Sequence, residues 1–422
     1  MRIKLVAVYS AALLLLVCLL AGCAGSVSAD EPSVTYDGRV TAVSRTPDTD
    51  LDLTLRRPAE FTGTAVPVQS VPSASGDFSL RFIAAGDNII HENVYIDAAS
   101  RAGEGEEYSF VSMYDDIAEL VSSADIAFVN QETPVCGREL GGYSGYPNFN
   151  SPPETVDALL ELGFDIVNIA NNHMLDKREE GLLNFIDFME TKDVLLLGAY
   201  RDAADYDNIR VYETNGIKIA FLSYTYSTNG MTLNKGSKHI IPLINEKDIT
   251  RQVSLAKEAG DLVFVSIHWG TEDQFTPDAS QKKYSQLMSD LGVDVIIGHH
   301  PHVAGPVKWL SGAGGNKTLC IYSLGNLIST MLYPQNMVGG IAGFDIVRRD
   351  GVLSIENPVY TPIVCHYDIT RLNLQVYLME NYTEELCKAH GAQKRGAFTL
   401  NRLKRYITDT IDAEFLPEWL IG

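Results

Sequence analysis

Short apolar runs alternate with amphipathic stretches from about residue 78 onward. The runs predict strands, and the stretches with apolar residues three or four positions apart predict helices. The predicted strands are 80–85, 126–130, 166–170, 194–197, 217–224, 262–268 and 293–297, and the predicted helices are 113–122, 153–162, 180–190, 246–259 and 281–291. This alternation is typical of an α/β domain whose sheets are buried on both faces.

Further elements are predicted after residue 300. Segments 319–323, 340–348 and 353–360 predict antiparallel strands that close a sandwich, and 372–389 and 398–415 predict C-terminal helices. We therefore expect one large domain at 78–365 followed by a helical extension at 366–422.

The first 23 residues have a hydrophobicity pattern that differs from that of the rest of the chain. Arg2 and Lys4 precede an apolar run from 5 to 20, and Leu-Ala-Gly stands directly before Cys23. This pattern predicts a lipoprotein signal peptide at 1–22, with Cys23 acylated as the new N-terminus. The alternative is an uncleaved membrane helix, but about 18 apolar or small residues are marginal for spanning a bilayer. Residues 23–77, rich in Ser, Thr, Pro and Asp, predict a flexible tether.

The composition narrows the classes of partner. The chain has 54 Asp and Glu against 33 Lys and Arg, a net charge of −21. Such a surface disfavours nucleic acid and anionic lipid as partners. The cysteines after Cys23 form no CxxC pair, so no zinc knuckle is indicated and disulfide pairing stays open.

Polar clusters follow five of the predicted strands. They are Gly86-Asp87 with His91, Asn130-Gln131-Glu132, Asn171-Asn172-His173 with Asp176, His268-Trp269-Gly270 with Glu272, and Gly298-His299-His300-Pro301-His302. In open α/β sheets, ligands bind at the carboxyl ends of the strands. A mixed set of carboxylate, amide and imidazole ligands suits two divalent cations, which would be Mn, Fe, Zn or Mg. Such a pair of ions activates water for hydrolysis.

These clusters, in this order and together with Ser323-Leu324-Gly325-Asn326, resemble the CapA family of poly-γ-glutamate capsule proteins. That family is itself similar to the calcineurin-like metallophosphoesterases. The resemblance spans roughly residues 79 to 330. It implies a four-layer α/β/β/α sandwich, metallophosphoesterase-like, with the site at one rim.

The resemblance also implies roles at the matching positions. Asp87 and His302 would hold the first metal, Asn172, His268 and His300 the second, and Glu132 would bridge them. His173 would be the general acid, oriented by Asp176. Further candidates, as ligands or as supports of ligands, are Glu272, His299 and Asn326.

Two positions depart from the broader superfamily. Its first motif is Asp-x-His, whereas here Ile89 stands two residues after Asp87 and the nearest imidazole is His91. We therefore include His91 among the candidate metal ligands. The bridging position is Glu132 rather than Asp, which alters the metal spacing by one methylene.

The leading hypothesis is a lipid-anchored metallohydrolase at the extracytoplasmic face of the cell membrane. It would act in synthesis, export or retention of an anionic envelope polymer such as poly-γ-glutamate, and cleave a phosphoester or an amide bond. The alternative is a non-catalytic assembly subunit with a vestigial metal site. A membrane-embedded capsule synthase is the partner expected for such a subunit. A solute-binding lipoprotein would not explain ligand-type residues at five strand ends.

Overall fold

A computed structural model describes residues 76–422 of the chain. The predicted signal peptide, the acylated Cys23 and the tether up to residue 75 lie outside the described residues. Between residues 76 and 422, no helix combines the length and the apolar character needed to cross a bilayer.

Fourteen strands of this described part form two mixed sheets. The strands are β1 (Phe78–Asn88), β2 (Ile126–Gln131), β3 (Ile166–Asn168), β4 (Leu195–Leu197), β5 (Arg210–Thr214), β6 (Ile217–Thr225), β7 (Leu262–His268), β8 (Val295–His299), β9 (Val307–Ser311), β10 (Lys317–Ile321), β11 (Asn326–Ile328), β12 (Val338–Arg349), β13 (Val352–His366) and β14 (Gln375–Leu378).

The first sheet has the order β14-β13-β12-β1-β2-β3-β4, and β11 pairs with the end of β1. Strands β1 to β4 and β11 are parallel, whereas β12, β13 and β14 continue the sheet antiparallel. The second sheet has the order β5-β6-β7-β8-β10-β9, with β6, β7, β8 and β10 parallel. The parallel strands of each sheet therefore direct their carboxyl ends to one edge.

The two sheets pack face to face through aromatic side chains. Phe82 of β1 lies 5.3 Å from Phe264 of β7 and 4.8 Å from Phe344 of β12, measured between ring centroids. All three rings are fully buried. Apolar residues that alternate with outward-facing ones on each strand supply this core, as burial between two sheets requires.

The helices are α1 (Glu92–Arg101), α2 (Asp115–Ser122), α3 (Glu154–Leu162), α4 (Arg178–Met189), α5 (Ala203–Asp207), α6 (Glu246–Ala259), α7 (Ala279–Asp290), α8 (Glu384–Ala389), α9 (Leu400–Thr408) and α10 (Glu418–Ile421). Short 3₁₀ turns lie at Val111–Tyr114, Pro334–Met337, Gly391–Arg395 and Ala413–Phe415. Helices α6 and α7 cover the outer face of the second sheet, where Ile249, Val253 and Met288 join Leu222 and Val265 in a second core. The predicted four-layer α/β/β/α sandwich is confirmed.

Two sequence predictions were wrong. The helix predicted over 372–389 contains β14 in its first half, because Gln375–Leu378 pairs with the edge of β13. Segment 319–323, predicted as an antiparallel addition, overlaps β10, which pairs antiparallel with β9 but parallel with β8, so the prediction was wrong for the second neighbour. The domain boundary at 366 stays a prediction, and Phe398 and Leu403 beyond it belong to the main hydrophobic core.

Candidate metal centre

Ligand-type side chains from both sheets meet at the carboxyl edge of the sandwich. The first sheet contributes Asp87, Glu132 and Asn172, at or just after the ends of β1, β2 and β3, and the second contributes His268, His300 and His302, at or just after the ends of β7 and β8. All six are buried. The strand ends approach so closely that a Cβ at Gly86 would lie 1.9 Å from the Gly325 carbonyl oxygen. Only glycine permits this approach of β1 to the segment before β11.

Asp87 lies at the centre of the cluster. Its Oδ1 accepts a hydrogen bond from Asn130 Nδ2 (2.8 Å) and its Oδ2 accepts one from the backbone N–H of His300 (3.2 Å). His299 Nδ1 and His302 Nδ1 each lie 3.3 Å from one of its oxygens. Burial raises the pKa of Asp87, but the His299 and His302 imidazoles more than offset this and hold its pKa well below the usual range. Asp87 is therefore a carboxylate, the form that binds metal.

Glu132 and His302 lie side by side next to Asp87. His302 Nε2 lies 3.7 Å from Glu132 Oε1. Burial and the neighbouring Asp87 raise the pKa of Glu132 well above its usual value. Burial lowers the pKa of His302, but Glu132 and Asp87 outweigh it and raise that pKa to about 10. Asp87 and Glu132 are buried close together, so their negative charges repel each other. A positive charge between them would stabilise both carboxylates.

Asn172, His268 and His300 form the other side of the cluster. Asn172 Oδ1 lies 2.9 Å from His268 Nε2, and the His268 and His300 ring centroids lie 4.8 Å apart. Burial lowers the pKa of His300 to about 3, and His302 adds to this. Burial and the neighbouring His300 lower the pKa of His268 well below its ordinary value. Both imidazoles are therefore neutral at pH 7, as metal ligation requires.

Backbone strain accompanies the histidine cluster at residues 298–302. His300 and His302 adopt φ values of +96° and +56°, which side-chain-bearing residues seldom take. Such strain persists only where the surrounding structure fixes it, and it concentrates at functional sites. Here the turn directs two imidazoles into one cluster.

His173 and Asp176 form a dyad at the edge of the cluster. His173 Nδ1 lies 2.8 Å from Asp176 Oδ2, which also accepts the backbone N–H of Phe149 at 2.8 Å. The Phe149 ring packs edge-on against the imidazole, with centroids 4.8 Å apart. Asp176 thus fixes the ring and its tautomer, leaving Nε2 for proton transfer, the arrangement expected of a general acid or base.

The remaining sequence candidates occupy different surroundings. His302 Nδ1 lies 3.0 Å from Asn326 Oδ1, so Asn326 orients the ring from behind. His299 stacks on Phe128 at 5.8 Å and faces Asp87. His91 accepts the backbone N–H of Thr330 at Nδ1 (3.2 Å), and burial and Arg371 lower its pKa to about 3. Glu272 is exposed, and one of its carboxylate oxygens lies within 4.8 Å of ligand nitrogens of His300 and His302.

Two groups of three ligand atoms, each within 4.8 Å of one another, occur among residues 76–422. They are Asp87, Glu132 and His302, and Glu272, His300 and His302. Several buried polar atoms in this described part also lack a hydrogen-bond partner, namely Glu132 Oε2, His268 Nδ1, His300 Nδ1 and both ring nitrogens of His299. Burying such atoms unpaired is costly. Divalent cations would satisfy them, so the residues fit the metal site that the sequence predicts.

Supporting residues of the centre were missed from the sequence. Asn130 Oδ1 accepts from Asn168 Nδ2 at 2.7 Å, and Ser223 of the second sheet donates to Asn168 Oδ1, so a chain of buried hydrogen bonds reaches Asp87 from β6. Asn229 Oδ1 accepts from Asn172 Nδ2 at 3.2 Å and thereby turns Asn172 Oδ1 toward His268. The position of Asn130 and Asn168 at strand ends was a usable signal. Asn229 lies in an aperiodic loop and gave none.

Residues 81–331 match the family described as "Bacterial capsule synthesis protein PGA_cap". The chain belongs to this family. Among the relatives within it, the chain is 33% identical over 215 residues to the PGA biosynthesis protein CapA of Bacillus subtilis, covering 50% of this chain and 54% of that protein. It is 30% identical over 256 residues to the capsule biosynthesis protein CapA of Bacillus anthracis, covering 59% of each. The chain thus spans little more than half the length of these PGA_cap relatives.

Solved structures similar to this family member include phosphoesterases. A phosphatase of Mycoplasma pneumoniae aligns at a TM-score of 0.44 with 16% identity, over 68% of this chain and 95% of that one. The calcineurin-like phosphoesterase YfkN of Bacillus subtilis aligns at a TM-score of 0.41 with 11% identity, over 78% of this chain and all of that one.

Proposed function

We propose that this PGA_cap member is a metal-dependent hydrolase of the cell envelope that acts on a capsule polymer such as poly-γ-glutamate. One observation supports it above the others: six buried ligand-type side chains from both sheets converge beside a His–carboxylate dyad. A purely structural role would not require unpaired nitrogen and oxygen atoms at the centre of the cluster. The choice of a capsule polymer as substrate comes from the names of the CapA relatives.

The chemistry follows from the positions of the residues. Asp87, Glu132, Asn172, His268, His300 and His302 would hold two divalent cations, which supply an activated water and stabilise negative charge on the substrate oxygens. His173, held by Asp176, donates a proton from Nε2 to the leaving group. The residues accommodate either a phosphoester or an amide, because both reactions need a hydroxide, an anion clamp and an acid.

The proposal extends to the location and partners of the protein. Acylation of Cys23 would anchor it at the extracytoplasmic face of the membrane, beside the machinery that makes and exports the polymer. Two or more acyl chains are needed for stable anchoring. Radiolabelled palmitate incorporated into the wild type but not into Cys23→Ala would support the anchor, and equal labelling would refute it.

The test of the activity separates metal binding from chemistry. The purified protein is analysed for metal by mass spectrometry and assayed on phosphodiester and γ-glutamyl substrates, together with His300→Ala and His173→Gln. We expect His300→Ala to lose metal and activity. His173→Gln should keep its metal and lose about 10²- to 10⁴-fold in kcat, the usual contribution of a general acid.

His239→Gln is the matched control, because His239 also pairs through Nδ1 with a carboxylate, that of Glu179, but lies outside the metal cluster. It should retain both metal and turnover. Metal binding without turnover on either substrate class would refute the hydrolase and favour the non-catalytic assembly subunit. An equal loss of activity in His239→Gln and His173→Gln would remove the case for His173 as the acid.

A further inference from the structure

The first motif of the metal centre lacks the histidine that metallophosphoesterases place two residues after the aspartate. His91 was the sequence candidate for the vacant role. Its Nδ1 is occupied by the Thr330 N–H, and its ring packs edge-on against Phe149 at 5.4 Å. In residues 76–422, His91 belongs to neither group of ligand atoms that lie within 4.8 Å of one another.

Glu272 lies where a further ligand would be useful. One of its carboxylate oxygens is within 4.8 Å of ligand nitrogens of both His300 and His302. His300 Nδ1 is buried and has no hydrogen-bond partner in the described part of the chain. A bound cation would join these groups.

The loop that carries Glu272 is fastened to the histidine turn. Trp269 N–H donates to the His299 carbonyl at 3.1 Å, and Asp273 N–H donates to the Pro301 carbonyl at 2.9 Å. Asn336 Nδ2 donates to Asp273 Oδ1 at 2.7 Å, and Asp273 has φ +63°. The backbone on both sides of Glu272 is therefore hydrogen-bonded to segment 299–301, which places this residue beside the histidines.

We propose that Glu272 is a metal ligand of this centre and that it, not His91, replaces the missing histidine. The proposal rests on the two-metal site of the proposed function. It makes the centre richer in carboxylate than one with histidine in that role. Oxygen ligands favour harder ions, so the exchange shifts the preference of the site from Zn²⁺ toward Mn²⁺ or Mg²⁺. Because Glu272 is exposed, this ligand lies on the solvent-facing side of the centre.

The test measures metal affinity and needs no turnover. Mn²⁺ is titrated calorimetrically into the metal-stripped protein, and metal per chain is counted after dialysis, for Glu272→Ala and His91→Gln. We expect Glu272→Ala to weaken binding at least about tenfold, since loss of even an indirect support of a ligand costs 10- to 100-fold. His91→Gln should bind as the wild type does. Glu92→Gln is the control for the loss of one exposed negative charge, at the residue next to His91 in the sequence.

The outcomes separate this proposal from the proposed function. Unchanged affinity in Glu272→Ala, or weakened affinity in His91→Gln, overturns the ligand assignment even if the wild type is an active hydrolase. An equal loss in Glu92→Gln also overturns it, because general electrostatics would then explain the effect. A wild type that binds two ions but hydrolyses nothing, with affinity lost only in Glu272→Ala, refutes the hydrolase and upholds Glu272 as a ligand.

Discussion

Replacement of His390 should remove a defined part of the pH dependence of stability. His390 Nδ1 accepts the backbone N–H of Ala392 at 2.9 Å, and its Nε2 donates to the Cys365 carbonyl at 3.0 Å. Its ring stacks on Phe398 with centroids 3.9 Å apart, and the side chain is 2% exposed. Only the neutral ring fits, because a proton on Nδ1 would face the Ala392 N–H.

The magnitude follows from the shift in pKa. Burial lowers the pKa of His390 from 6.5 in the unfolded chain to about 3 in the fold. The hydrogen bond to the Cys365 carbonyl opposes this shift, and the neighbouring His366 adds to it. Since the folded pKa is depressed, the contribution is complete above pH 6.5 and is lost as the pH falls toward 3, where the unfolded state binds the extra proton. Between pH 7.5 and 5.0 the loss is about 2 kcal/mol.

The assay is urea unfolding at pH 7.5 and at pH 5.0 for the wild type and for His390→Phe, which keeps the stacking on Phe398. The variant loses stability at both values because two backbone groups lose their partners, about 1–3 kcal/mol each. The free energy of unfolding should nevertheless fall about 2 kcal/mol less in the variant between the two values. His390→Gln, which also cannot titrate there, should show the same reduced slope. Equal slopes in wild type and variants would refute the reasoning.

Two further changes test the architecture of the centre. Asn229→Ala should weaken divalent-metal binding about tenfold in calorimetric titration, because Asn172 loses the acceptor that orients its amide. Asn215→Ala, at a turn with a similar positive φ, should leave the affinity unchanged. Equal affinities in the two variants would show that Asn229 does not have this role. Gly298→Ala should destabilise the fold by about 1–3 kcal/mol or more in denaturant unfolding, because its Cβ would lie 2.1 Å from the Tyr322 carbonyl oxygen. Gly314→Ala has space and should change stability by less than about 0.5 kcal/mol, and a similar loss in both would contradict the steric account.

The parallel strands were predictable because they are buried on both faces and read as unbroken apolar runs. Segment 262–268 matches β7 at both ends, and 246–259 matches α6, whose Asn245 cap marks its start. Peripheral elements gave weaker patterns. Strand β5 is only half-buried along its length, and the N-cap residue of α1, His91, makes no side-chain cap hydrogen bond, so neither was predicted.

The candidate metal ligands could be predicted from the sequence, but the residues that hydrogen-bond to them were harder to predict. A strand followed by a carboxylate or an imidazole can be recognised in the sequence, because the end of the apolar run marks the edge of the sheet where ligands bind. The distance between chain-remote groups is decided only by the fold. Glu272 and His91 illustrate this: both are polar residues a few positions past a strand, yet one faces the histidines and the other bonds to the backbone of Thr330.

The centre draws its ligands from two sheets that otherwise meet mainly through apolar contacts. A cation bound there would crosslink the two sheets at their carboxyl edge. Binding to the folded state alone would add about 2.7 kcal/mol of stability at a hundredfold excess over the dissociation constant. The lifetime of the folded protein would then follow the local supply of divalent ions, independently of any reaction it catalyses.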